Sequence, residues 1–361
     1  MKINRLYLFA ALLTAPVLSN AQVKYSNEFL TIGVGARALG MSGAQTAIAS
    51  DVTAGYWNPA ALVAMTDQTQ VALMHSEYFA GIAKYDYGAF ARKIDERSAM
   101  AVSVVRFGID DIADTSELID ANGNINYDRV TKFAAADLGV LLSYSRKLKK
   151  EGLSVGANAK VINRRIGDFA RAWGFGLDVG IRYEKNKWRF AAMARDITTT
   201  FNAWSFNLTD SQRAAFTATG NVIPENSSEI TRPSLNIGGA REFELGSKFS
   251  ILTSLDLQTT FDGMRNTLVR NSSWSMNPVF GLEASFKKLI FLRGGVGNFQ
   301  STVNFEQTAR EVSFQPNLGV GIKLGPVLID YALTDIGDQS TALYSNVFSL
   351  RFNINAKKTK E

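Results

Sequence analysis

The chain has 361 residues, with 39 lysines and arginines against 33 acids, one histidine and no cysteine. The lack of cysteine excludes a disulfide scaffold, thiolate metal sites, a cysteine nucleophile and acylation at a mature N-terminal Cys. The formal charge of +6 is scattered along the chain apart from Lys357-Lys358-Thr359-Lys360, which gives nucleic-acid binding little footing.

The N-terminus reads as a secretory signal peptide over residues 1–21. Lys2 and Arg5 form a basic n-region, Leu6 to Leu13 an apolar h-region, and Ser19-Asn20-Ala21 a small-residue cleavage site before Gln22. As a membrane helix the apolar run is too short, and Pro16 breaks it. Beyond it no run of about 18 apolar residues occurs, so no helix is predicted to cross a membrane.

Residues 22–67 fit no ordinary element. The stretch Gly33 to Leu62, "GVGARALGMSGAQTAIASDVTAGYWNPAAL", is rich in Gly, Ala, Ser and Thr and lacks both a helical stripe and strand alternation. Its Gly33, Gly35, Gly40 and Gly43 permit irregular dihedrals and close backbone approach. Asn58-Pro59 ends any helix and sets a turn before the first strand.

From Thr69 onward apolar residues recur at every second position. Trp173, Phe175, Leu177, Val179, Ile181 and Tyr183 alternate with Gly174, Gly176, Asp178, Gly180, Arg182 and Glu184, a strand with one apolar and one polar face. Aromatics bound the apolar face at both ends, as interfacial girdles do. The polar face is Gly, Ser, Asn, Asp and Arg rather than Thr, Lys and Glu, which suits a crowded lumen. Fourteen such segments are predicted: 69–79, 83–93, 98–107, 137–147, 154–165, 172–184, 188–196, 234–243, 249–258, 277–286, 289–297, 315–324, 327–335 and 347–354. Each is near the roughly 9–11 residues of a tilted transmembrane strand, and strands in lipid must close so that no backbone is left unpaired. Short links (Gly81–Ile82, Lys287–Lys288, Gly325–Pro326) are expected to alternate with long external ones (108–136, 197–233, 259–276, 298–314).

The predicted fold is therefore all-β: a fourteen-stranded antiparallel transmembrane β-barrel over residues 68–355, followed by a basic tail, 356–361. The lumen of such a barrel is too wide for its own side chains to fill. Segment 22–67 is expected to fold back inside as a hatch plugging it, with Gly35, Arg37, Gly40, Gly43, Trp57, Asn58 and Pro59 as its motif.

That motif carries a resemblance. Over about residues 28–62, Phe29-Leu30, Gly35-Ala36-Arg37-Ala38, Gly40-Met41 and Asn58-Pro59-Ala60 resemble the N-terminal signature of the FadL-type fourteen-stranded barrels. The stretch is most similar to their PorV/PorQ branch, outer-membrane components of the type IX secretion system of Bacteroidetes. The resemblance implies an outer-membrane protein in contact with lipid that assists protein export, with the type IX translocon barrel and the C-terminal signal domains of secreted cargo as partners. The wider family implies the alternative, transport of hydrophobic small molecules through a lateral opening.

Enzymatic chemistry finds little support, and no cofactor or metal is expected. His75 is alone, without a fixed acid or cysteine partner, and reads as a lumen or interface residue. No Gly-x-Ser-x-Gly elbow is present, and Gly33–Gly40 follows no strand and opens no βαβ unit. The acids of 110–128 surround "DANGNIN", whose Gly123 is fourth rather than sixth and which no Glu closes, so an Asn-Gly hairpin tip explains it better than a calcium loop. The longest connection, Thr198–Thr231, holds Phe201, Trp204, Phe206, Leu208 and Phe216, which either bind cargo or a partner from a mobile loop or cap the lumen. Arg164, Arg165, Asp178, Arg182, Arg195, Glu283 and Arg293 are expected to face inward as an ion-pair network bracing the hatch.

Overall fold

The computed structural model describes residues 26–119, 123–303, 310–336 and 344–355. The signal peptide and the basic tail expected at the two ends lie outside these residues, as does Asp120. One sheet of seventeen strands dominates: β1 Thr69–Tyr78, β2 Ala83–Lys93, β3 Ser98–Asp114, β4 Thr131–Lys147, β5 Leu153–Ile166, β6 Ala170–Lys185, β7 Trp188–Arg195, β8 Thr200–Phe206, β9 Ser227–Thr231, β10 Ser234–Leu245, β11 Phe249–Thr260, β12 Val269–Arg270, β13 Ser275–Phe286, β14 Ile290–Val303, β15 Arg310–Leu324, β16 Val327–Thr334 and β17 Ser345–Ile354. Setting aside β8, β9 and β12, fourteen antiparallel strands form the wall, and β17 closes on β1 from Thr69↔Ile354 to Glu77↔Asn346. No barrel edge is left to aggregate. Among the described residues no helix is long and apolar enough to cross a membrane.

Alternation sets the two faces. On β6 Ala172, Asp178 and Arg182 are buried inside, while Trp173, Phe175, Val179 and Ile181 point outward and are exposed. The outward residues of β13 to β15, including Phe280, Leu292, Leu318 and Val320, continue the apolar surface. Such a belt is stable against hydrocarbon and costly against water.

All fourteen wall segments coincide with the alternating runs, but several strands reach further than the alternation. β3 continues to Asp114, past a bulge between Ile109 and Ile112, and β4 begins at Thr131. β14 continues to Val303 past a bulge after Gly297. These extensions project beyond the apolar belt, so polar residues occupy both faces and the period-two signal fades.

Three expectations need correction. The Gly81–Ile82 link lies at the same end as the long connections, because β1 and β3 run in the same direction; the short end is made by the 94–97, 148–152, 186–187, 246–248, 287–289 and 325–326 links. The connection after β7 is not an irregular loop: β8 pairs with the upper half of β6 (Ala170↔Phe206), β9 pairs with β8, and a helix, Asp210–Ala218, lies between them under a capping box from Thr209 and Gln212. Arg165 does not face inward. Neighbouring strand residues point to opposite faces, so with Arg164 inside, Arg165 lies outside and pairs with Asp168 at the turn.

Candidate functional site

The leading segment runs inside the cylinder in four short helical pieces, Glu28–Leu30, Ala36–Leu39, Ala54–Trp57 and Pro59–Ala64, and is buried along most of its length. One apolar cluster joins Phe29, Leu30, Val34, Tyr56, Leu62 and neighbours to Tyr85, Tyr87, Val105 and Leu141 of the wall. Irregular backbone in a barrel needs partners, and inward wall side chains supply them. Tyr85 donates to Phe29 O at 3.0 Å, and Arg195 donates to Leu30 O at 3.2 Å and Tyr56 O at 3.1 Å. Asn158 donates to Gly55 O at 2.9 Å, and Ser145 and Ser154 both donate to Ala60 O. In return, Thr46 N–H donates to Asp256 at 2.8 Å and Val52 N–H to Gln70 at 2.9 Å.

The motif residues each have a physical task. Gly35 and Gly43 adopt positive φ (88° and 80°), which a side chain would strain. Gly40 has an ordinary helical φ of −63°; its task is contact, since a Cβ there would lie 3.0 Å from Gly319 Cα. Trp57 donates from its indole nitrogen to Val34 O at 3.0 Å and meets Tyr56 edge to face at 5.1 Å. Asn58 caps the next piece by accepting from Ala60 N–H at 3.1 Å and donates to Thr46 O at 3.0 Å, with Pro59 at the first helical position. Asn58-Pro59 thus joins two helical turns rather than leading directly into β1.

Buried charge anchors the segment. Arg37 grips Glu283 with two hydrogen bonds, at 2.8 and 3.0 Å. Glu283 also accepts from Arg293 at 2.7 Å, and Arg293 reaches Asp330 at 2.7 Å. Asp51 pairs with Arg351 of β17. A second group lies higher, where Lys160 meets Asp178 at 2.8 Å and Asp196 at 2.7 Å. Arg164 pairs with Asp137 and Glu229, and Arg182 reaches Ala47 O and Glu184. Of the seven residues expected inside, six are there. Lys160, Asp330, Arg351 and Asp51 join them; strand parity marks Lys160, in step with Arg164, as inward.

Above the segment, toward the long connections, a vestibule of about 710 Å³ opens. One side is apolar, with Phe29, Ile32, Leu39, Trp57, Tyr78 and Phe107; the other is lined by the amides of Gln258, Asn277, Asn298, Gln315 and Asn317. Among its charged residues Arg164 pairs with Asp137 and Glu28 with Arg265, while Asp335 accepts from the Thr334 hydroxyl at 3.2 Å. A polar recess of about 430 Å³ adjoins it through Thr31, Trp57, Gln258, Asn277 and Asn298. Below, the leading segment fills the bore, and the recess beside Arg37 and Asp51 holds only about 20 Å³.

No protein-family model and no curated protein matches the chain. Solved structures do. The chain is similar to the toluene transporter TbuX of Ralstonia pickettii (15% identity, TM-score 0.54, covering 90% of this chain and 99% of that one). It is similar also to the toluene transporter TodX of Pseudomonas putida (13%, 0.56, 89% and 98%) and to a FadL homologue of Pseudomonas aeruginosa (12%, 0.52, 89% and 98%). The fold is that of the FadL-like outer-membrane barrels.

The five candidate partner-binding residues are not alike. Phe201 is 51% exposed on β8. Trp204 is buried against Ala170 and Ala172, stacked on Phe206 at 6.0 Å and covered by the Arg164 guanidinium at 5.1 Å. Leu208 is buried, and Phe216 is half-buried on the short helix. None of the five lines the vestibule. His75 is not in the lumen: it stands on the outer face between the inward Met74 and Ser76.

Proposed function

We propose that this chain is an outer-membrane barrel that takes up small molecules with an apolar body, binding them in the vestibule above its leading segment. The observation that carries the reading is the division of the vestibule into an apolar side and an amide side, with Arg164 and Glu28 held in ion pairs. A concave pocket of this size, in which an apolar wall faces hydrogen-bonding groups that can fix orientation, suits a small-molecule site. The likeness in fold to proteins described as toluene transporters supports the same reading, as does the apolar outer belt. The amide side leaves room for a neutral hydrogen-bonding group on the ligand. Passage further down requires residues 26–65 to shift, so the segment acts as a hatch.

The test is uptake of labelled toluene and of neutral aromatic alcohols into liposomes bearing the purified barrel. Saturable uptake that falls when Ile32→Asp or Phe107→Asp puts a charge on the apolar side is expected. Uptake no faster than in protein-free liposomes rejects the proposal.

A second reading is favoured by the motif of residues 28–62: a PorV/PorQ-type barrel serving type IX secretion, its hatch fixed and its β8–β9 hairpin presenting Phe201 to cargo or translocon. Co-purification from native membranes with a very large barrel and cargo C-terminal domains, lost on Phe201→Asp, supports this reading over uptake.

A further inference from the structure

The outer face of the barrel is not apolar all the way round. Through the outward residues of adjacent strands, one line of register runs Tyr331, Phe348, His75, Asp86, Arg106, Leu138. The next line toward the short end, Ile329, Leu350, Leu73, Gly88, Val104, Val140, carries no polar side chain. On β1 to β3, therefore, charge begins where the flanking strands still present aromatic and aliphatic groups. Glu77, Lys84 and Asp110 complete the patch. Its members pair among themselves: His75 with Asp86 at 2.7 Å, Arg106 with Asp86 at 3.4 Å, and Lys84 with Asp110 at 2.9 Å.

Charged groups on the lipid face of a barrel are costly, the more so the deeper they lie. Three carboxylates against Lys84, Arg106 and one imidazole give no cationic surplus, so an anionic headgroup is not the complement of this surface. A surface bearing both signs in a fixed order fits itself. A two-fold axis beside β2, parallel to the barrel axis, brings β1 of one copy to β3 of the other, and a two-fold interface must be self-complementary in this way. Glu77 then faces Arg106 of the second copy, and Lys84 faces its Asp86. The β1–β2 turn above adds an apolar side chain beside the axis, Ile82 (63% exposed). We infer that the upper outer face of β1–β3 is a dimer interface occupied by a second copy of this chain. The inference needs a barrel set in lipid and is independent of what the vestibule binds.

The chain has no cysteine, so a single introduced one reports on its own position alone. Gly88 faces outward on β2, where an added side chain meets only Leu73 Cδ2, at 3.7 Å. In oxidised native membranes, Gly88→Cys is expected to run mostly as a disulfide-linked dimer, while Gly239→Cys, outward on β10 across the barrel, stays monomeric. Arg106→Glu is expected to abolish the dimer, and Arg106→Glu combined with Glu77→Arg to restore it. Each variant is first shown to be folded by its heat-dependent shift on a gel. Cross-linking of Gly88→Cys no greater than that of Gly239→Cys, cross-linking to a different polypeptide, or failure of the double exchange to restore the dimer overturns the inference.

Discussion

Arg37 and Glu283 are 246 positions apart in the chain and meet inside the barrel as a two-pronged ion pair, Nε to Oε2 at 2.8 Å and Nη2 to Oε1 at 3.0 Å. Their partners are unequal. Glu283 serves both Arg37 and Arg293, whereas Arg293 has Asp330 as well. Removing one member of a buried pair costs more than the pair contributes, because a charge is left without compensation.

Glu283→Ala strands Arg37 and is expected to cost about 3–5 kcal/mol of stability, the range for breaking a buried pair. Arg37→Ala leaves Glu283 with Arg293 and costs less. Denaturant unfolding in detergent gives the order, and limited proteolysis of residues 26–65 shows whether the segment has been loosened.

Gly156 is one of the wall glycines that abut the segment's backbone directly. A Cβ there would lie 2.5 Å from Ala60 N and from Pro59 C, both backbone atoms that cannot swing aside. Gly156→Ala is expected to displace the Pro59–Ala64 turn at about 1–3 kcal/mol, as overpacking does. Ion conductance through single barrels in planar bilayers should rise, while Gly88→Ala, with room for its methyl, leaves it unchanged.

Asp51 links the segment to β17. Burial alone would raise its pKa, but Arg351 and Arg37, with hydrogen bonds from Thr53, outweigh burial and hold the carboxyl below the usual carboxylate range. A group depressed in the folded state stabilises the fold above its unfolded pKa, roughly 4, and loses that contribution as pH falls through the folded value. Conductance is thus expected to be level from pH 8 to 5 and to rise under stronger acid. Asp51→Asn should raise it at neutral pH and flatten the acid response; an unchanged acid response in Asp51→Asn removes Asp51 from the account.

Phe175 stands exposed within the outer belt of β6, whereas Asp114 ends the projecting part of β3. Phe175→Arg is expected to cost up to about 2–4 kcal/mol in lipid, the cost growing with depth, and Asp114→Arg close to nothing. Reversible folding into vesicles measures both, and equal costs would place the belt elsewhere.

The barrel was legible because period two needs only neighbours a few residues apart: Trp173 to Tyr183 announce a strand, its outer face and its aromatic ends without reference to anything distant. The same rule, applied residue by residue, would have put Arg165 outside and His75 on the outer face, since Met74 and Ser76 already take the lumen. It failed at β8 and β9, where Phe201, Asn202, Ala203 and Trp204 extend the wall beyond the belt and neither face is purely apolar.

By itself the sequence determined that the chain alternates apolar and polar residues over fourteen spans and begins with small residues suited to close contact, because these are properties of local spacing. The tertiary structure alone decided that Arg37 finds Glu283, that Asp51 finds Arg351, and that charge gathers on the outside of β1 to β3. Those partners are set by closure of the sheet and by the register of strands far apart in the chain, and no short stretch of residues encodes either one.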